Sequence, residues 1–134
     1  MVFRTMACED LGDVFLLVHG PMNPDPQEWA TLLQEARKKR QPKHLVIAGE
    51  VQLTPRQRAQ VAEILDFPCK AAVMLSSPIT RGMVTAIGWL TGKHRAFAMT
   101  DLAGALAYLD VAPERYAEIR DRVAALQRGL SAQM

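Results

Sequence analysis

Five residues of chemically useful type stand where apolar runs end or helices begin: His19, Glu50, Thr54, Ser77 and Arg81. His19-Gly20 follows an apolar run, as the oxyanion loop of a hydrolase does. No G-x-S-x-G elbow accompanies it, and 134 residues is short for that fold. A structural or surface histidine is the plainer reading. Glu50 and Asp25 are the two acids placed for a receiver-type phosphorylation pocket. Such a pocket needs two or three acids converging with a lysine, and Asp25 is better explained as a helix cap. Ser77-Pro78-Ile79-Thr80-Arg81-Gly82 opens a helix, whose free N–H groups together with Arg81 would suit an anion. Capping alone explains Ser77 and Pro78. Arg81 either pairs with Glu50 or Asp101 or points at a partner. No G-x-x-x-x-G-K-[ST] and no G-x-G-x-x-G is present, so no nucleotide fingerprint supports the loop. Thr54 caps another helix start. A phosphoryl group there would face the helix N-terminus, with Arg56 and Arg58 close in sequence.

The remaining polar features point to ordinary surface. Arg37, Lys38, Lys39, Arg40, Lys43 and His44 form a basic run at a helix end. A nucleic-acid surface asks for more cations on one face and for aromatics to stack on, so a solvated helix end is expected instead. The chain carries 16 Lys+Arg against 14 Asp+Glu, a net charge of only +2, which does not make it a polyanion binder. Cys8 and Cys69 are far apart and outside any C-x-x-C pattern, so two reduced thiols are expected. No metal cluster and no cofactor motif is visible. No apolar run reaches the ~18–20 residues that span a bilayer, and the first residues lack a signal-peptide h-region. Cytoplasm is the expected location.

The elements that must position these residues alternate. Val14–His19, Leu45–Gly49, Ala71–Ser76 and Arg95–Met99 are strand-like runs, each leading into an amphipathic helix, and Val2–Ala7 stands in front as an edge strand. That order implies an α/β fold, a mixed but mostly parallel sheet of about five strands with helices packed on it. Glu9-Asp10-Leu11-Gly12-Asp13 reads as the turn of an antiparallel hairpin joining the first two strands. Asp25-Pro26, Thr54-Pro55 and Ser77-Pro78 are three cap-plus-proline helix starts. Trp29, Leu32, Leu33 and Ala36 lie on one face of the first helix. Val61, Ala62, Ile64 and Leu65 give the second its apolar side. Met83, Val84, Ile87 and Leu90 do so for the third, and Asp101 opens a fourth.

Pro113 begins a last helix with apolar Tyr116, Ile119, Val123, Leu126 and Leu130, alternating three and four apart. That seam either packs on its own domain or joins a second copy of the chain. The organisation expected is a domain over residues 1–110 followed by an amphipathic helix over 111–134. The seam Tyr116, Ile119, Val123 and Leu126 is the candidate homodimer contact.

The order strand–strand–helix–strand–helix–strand–helix–strand–helix resembles the STAS domains, the sulfate-transporter and anti-sigma-factor-antagonist family, most closely a SpoIIAA-like branch. Val14–His19, Leu45–Gly49 with the helix from Thr54, Ala71–Ser76 with Pro78–Leu90, and Ala96-Phe97 with Asp101–Leu109 carry the likeness, over about residues 2–110. In antagonist members a Ser or Thr at the start of the second helix is phosphorylated within a motif such as Asp-Ser-Ser-Gly. By position that residue would be Thr54, flanked here by Glu50-Val51-Gln52-Leu53 and Pro55-Arg56. The resemblance implies a non-catalytic protein that binds another protein in bacterial signalling, through Glu50, Thr54, Arg56 and Arg58. The alternative is a small-molecule binder or minor enzyme. It would use a crevice at the carboxyl ends of the strands, with His19 or Glu50 as base and Ser77 and Arg81 as anion contacts.

Overall fold

Val14 to Val18 is apolar without alternation because the strand it forms is covered on both faces. Leu16 and Val18 enter one core with Leu45, Ile47, Ala72, Met74 and Phe97. Phe15 enters a second core with Met6, Cys8, Trp29, Leu32 and Leu33, and Leu17 packs beside it. The computed structural model describes residues 1–78 and 93–132. Within them the strands are β1 (Met6–Asp10), β2 (Phe15–His19), β3 (Lys43–Gly49), β4 (Lys70–Leu75) and β5 (His94–Ala98). The helices are α1 (Pro26–Lys39), α2 (Pro55–Ile64), α3 (Leu102–Tyr108) and α4 (Tyr116–Ala132), the last entered through a 3-10 turn at Pro113–Arg115. The third cap-plus-proline helix, with Arg81, lies outside the described residues.

The five strands form one sheet in the order β1-β2-β3-β4-β5. β1 is antiparallel to β2, and every later pair is parallel. The fold is therefore the α/β, mixed and mostly parallel sheet that the element order predicts. Strand order and chain order coincide, so successive right-handed crossovers fall on one face. α1 and α2 accordingly cover the face of Met6, Phe15 and Trp29. α3 and α4 cover the other with Leu106, Leu109, Ile119 and Leu126. Because the order never reverses within these strands, they have no switch point of the kind that opens a crevice in doubly wound sheets.

Local chemistry sets the helix starts. The Asp25 carboxylate accepts from the backbone N–H groups of Gln27 and Glu28 at 3.0 and 3.1 Å, with Pro26 at the first helical position. Asp101 accepts from Gly104 N–H at 3.0 Å. α1 ends at Arg40, whose left-handed backbone (φ 44°) closes the helix ahead of Pro42.

Three expectations need correction. The first strand is Met6–Asp10, not Val2–Ala7. Val2 makes only an isolated bridge to Ala7, so residues 1–3 fold back along β1. Glu9 and Asp10 belong to that strand rather than to the turn, because they continue the antiparallel ladder opposite Leu16 and Phe15; Arg122 pairs with the Glu9 side chain and Gln41 donates to that of Asp10 at 2.8 Å. The turn itself is tighter, with Gly12 at φ 89° and Leu11 N–H bonded to Val14 O at 2.9 Å.

The second correction concerns α2. Of its expected apolar side, Val61 and Ile64 are half-buried and Ala62 is exposed, and only Leu65, at the C-cap, is buried. Trp29 ties it to α1, donating Nε1–H to Gln60 Oε1 at 2.9 Å.

The third concerns the C-terminal seam. Ile119, Val123, Leu126 and Leu130 are buried in the chain's own core, with exposures of 0, 9, 4 and 3%, and Tyr116 packs against it. Those side chains are spent inside the molecule and are not a free face for a second copy. Arg115 clasps Asp13 at 2.9 and 3.0 Å, which fixes the start of α4 beside the β1–β2 turn. α4 is thus a wall of the same core as the sheet.

Candidate functional site

Thr54 does what a helix cap does. Its hydroxyl accepts from Gln57 N–H at 3.1 Å, and the Gln57 side chain accepts from Thr54 N–H at 2.9 Å, a reciprocal capping box. Thr54, Pro55, Arg56 and Arg58 are exposed. Arg58 reaches back to the Leu53 carbonyl at 2.9 Å, which leaves Arg56 as the outward cation of this turn. The first turn of α2 holds no acid. Two arginines stand at the positive end of a helix dipole that favours acids, an arrangement capping does not explain.

The carboxyl ends of the parallel strands bring the other expected residues near one edge without assembling them. Glu50 follows β3 and is exposed, and Ser77 is half-buried just beyond β4. Ser76 N–H bonds to Gly49 O at 2.9 Å, closing the β3 and β4 ends together. Arg81 lies outside the described residues. Asp25, the second acid considered for a receiver pocket, is occupied by α1 and by Arg4 at 3.2 Å.

His19 instead lines a groove of about 290 Å³ with Gly20, Pro21, Gln127, Leu130 and Ser131. Its second wall is the last turns of α4, which run out beside the end of β2. Gly20 sits close there: its N–H bonds to Thr5 O at 2.9 Å, and a Cβ would come within 3.2 Å of that carbonyl. Glu50 and Ser77 do not line this groove. Nδ1 of His19 is buried and has no hydrogen-bond partner among the described residues. Burial without a counter-charge pushes its imidazole down to about 4, so it is neutral at physiological pH.

The basic run is largely spent within the molecule. Arg37 faces Glu63 at 3.7 Å, Lys38 faces Glu35 at 3.7 Å, and Lys39 faces Asp10 at 3.9 Å. Arg40 lies over the Phe67 ring at 4.7 Å. Lys43 and Lys70 reach past the end of α3, bonding to the Asp110 carbonyl and carboxylate at 3.1 Å each. His44 is buried beside Phe15, which lowers its pKa. Among the described residues no group of three or more metal-ligating side chains comes together.

Comparison with protein-family models, with curated proteins and with solved structures gives no match. The class that the fold defines is an α/β protein with a mixed, mostly parallel five-stranded sheet among the described residues. Sequence reasoning finds Thr54, because a cap is written in neighbouring residues. It misses Gln127, Leu130 and Ser131, which meet His19 only once α4 is laid along β2. Their one sequence signal is the i, i+3, i+4 spacing that puts them on a single helix flank.

Proposed function

We propose that the chain is a non-catalytic module that binds another protein through the start of α2, as its STAS-like order implies. The observation that carries the reading is the cationic charge there, with Arg56 as its outward member. Arg56 and Arg58 stand exposed at a helix N-terminus with no acid in the first turn. Like charges in that position cost stability, so a surface that keeps them suits an acidic partner. Thr54 sits at the rim of the same surface, where a phosphoryl group would change the sign a partner meets. The SpoIIAA-like branch of the STAS family and bacterial cytoplasmic regulation are the setting that the resemblance implies.

The test is affinity capture from native lysate with wild-type protein, Arg56→Glu and the far-side control Arg120→Glu, read by cross-linking mass spectrometry. A partner lost only with Arg56→Glu and cross-linked near α2 is the expected result. A partner retained by Arg56→Glu, or cross-linked only elsewhere, would remove α2 as the binding surface.

A further inference from the structure

We propose that the groove between the carboxyl end of β2 and the last turns of α4 binds a small uncharged molecule bearing a carbonyl or amide group. The inference is independent of the α2 surface. Size comes first. At about 290 Å³ the groove stands at the lower end for a ligand pocket.

Lining chemistry comes next. Pro21 and the small exposed edge of Leu130 offer apolar contact, whereas His19, Gln127 and Ser131 offer hydrogen bonds, and none of the six lining residues carries a full charge. No lining side chain would offer a charged ligand a counter-ion. The protonation pattern of His19 supports the same class. Its Nδ1 is enclosed and unpartnered among the described residues. A bare lone pair in such a place costs less than a stranded N–H, which puts the proton on Nε2. No hydrogen bond joins Nε2 to the described residues, so the ring that lines the groove keeps a donor to offer. A carbonyl oxygen is its natural acceptor. The Gln127 amide and the Ser131 hydroxyl can each donate or accept, which matches the two-sided bonding of an amide.

The experiment titrates benzamide and, separately, benzoate into isotope-labelled protein. NMR follows the His19 ring and the Gln127 side-chain amide. Saturable benzamide shifts at both residues are expected, at the millimolar affinity usual for a probe of about nine non-hydrogen atoms. Benzoate should bind at least tenfold more weakly. Ser131→Trp fills the groove from an exposed helix position and should abolish the shifts while the backbone spectrum stays folded. Absence of a saturable shift overturns the site. So does a shift that survives Ser131→Trp. Benzoate binding as well as benzamide overturns the uncharged class.

Discussion

His19 shows how one buried side chain ties stability to pH. The unfolded chain takes up its proton near the ordinary value of 6.5, whereas the folded imidazole resists until about 4. Stability is therefore full above 6.5, falls as pH drops through that window, and levels off below it. The loss is at most about 3 kcal/mol, since each tenfold difference in proton affinity between the folded and unfolded chain is worth ~1.4 kcal/mol. Burial lowers the pKa of His44 and His94 as well, and both add to the fall with the same sign. Urea unfolding at successive pH values should show a shallower acid limb for His19→Gln than for wild type; identical limbs would mean that His19 is not held neutral. Thr54 is a different kind of residue. Thr54→Ala removes a cap worth about 1 kcal/mol, and Thr54→Ser should keep most of it. Equal midpoints for Thr54→Ala and wild type would show that the capping box contributes nothing in solution.

At the level of elements, legibility follows the range of the forces. The doubly covered strands and the proline-led helix starts can be read because their causes lie within a few residues. Glu9 and Asp10 read as a turn because acids favour turns; the ladder to Leu16 and Phe15 keeps them in β1, and their side-chain partners, Arg122 and Gln41, lie far along the chain. The seam of α4 can be read as apolar but not as inward or outward, since periodicity is the same for a core face and a dimer face. Its exposures decide the matter. Ile119→Ala should cost about 2–5 kcal/mol, as deletion of a fully buried side chain does. Ile119→Asp should unfold the chain rather than split a dimer. Light scattering and circular dichroism on both variants separate the outcomes, because a well-folded Ile119→Asp protein of halved mass would restore the dimer seam. The groove belongs to the same lesson: His19 is visible in the sequence, and the helix that completes its site is not.

Across the whole molecule, one sheet carries two cores of unequal composition. α1 and α2 close one face, and α2 buries no side chain fully. α3 and α4 close the other, where four residues of α4 share one core with Leu16, Val18 and Leu45. The deeper core therefore depends on the last element of the chain, and the division into a domain of residues 1–110 plus a trailing helix does not describe how apolar surface is buried. A chain cut after residue 112 would leave that face of β1 and β2 open to water. Each side chain of the Ile119 and Leu126 kind contributes roughly 1.5–3 kcal/mol on burial, against a total stability of about 5–15 kcal/mol for an ordinary domain. Losing four of them consumes most of that margin. The truncated chain should keep far-ultraviolet helix and strand signal, lose near-ultraviolet signal, and unfold without a cooperative transition. Trp29, in the opposite core, makes the near-ultraviolet reading strict, since its own contacts are untouched by the cut. A sharp transition with a native Trp29 signal would mean that residues 1–110 fold as a unit, with α4 serving as a cover that can leave.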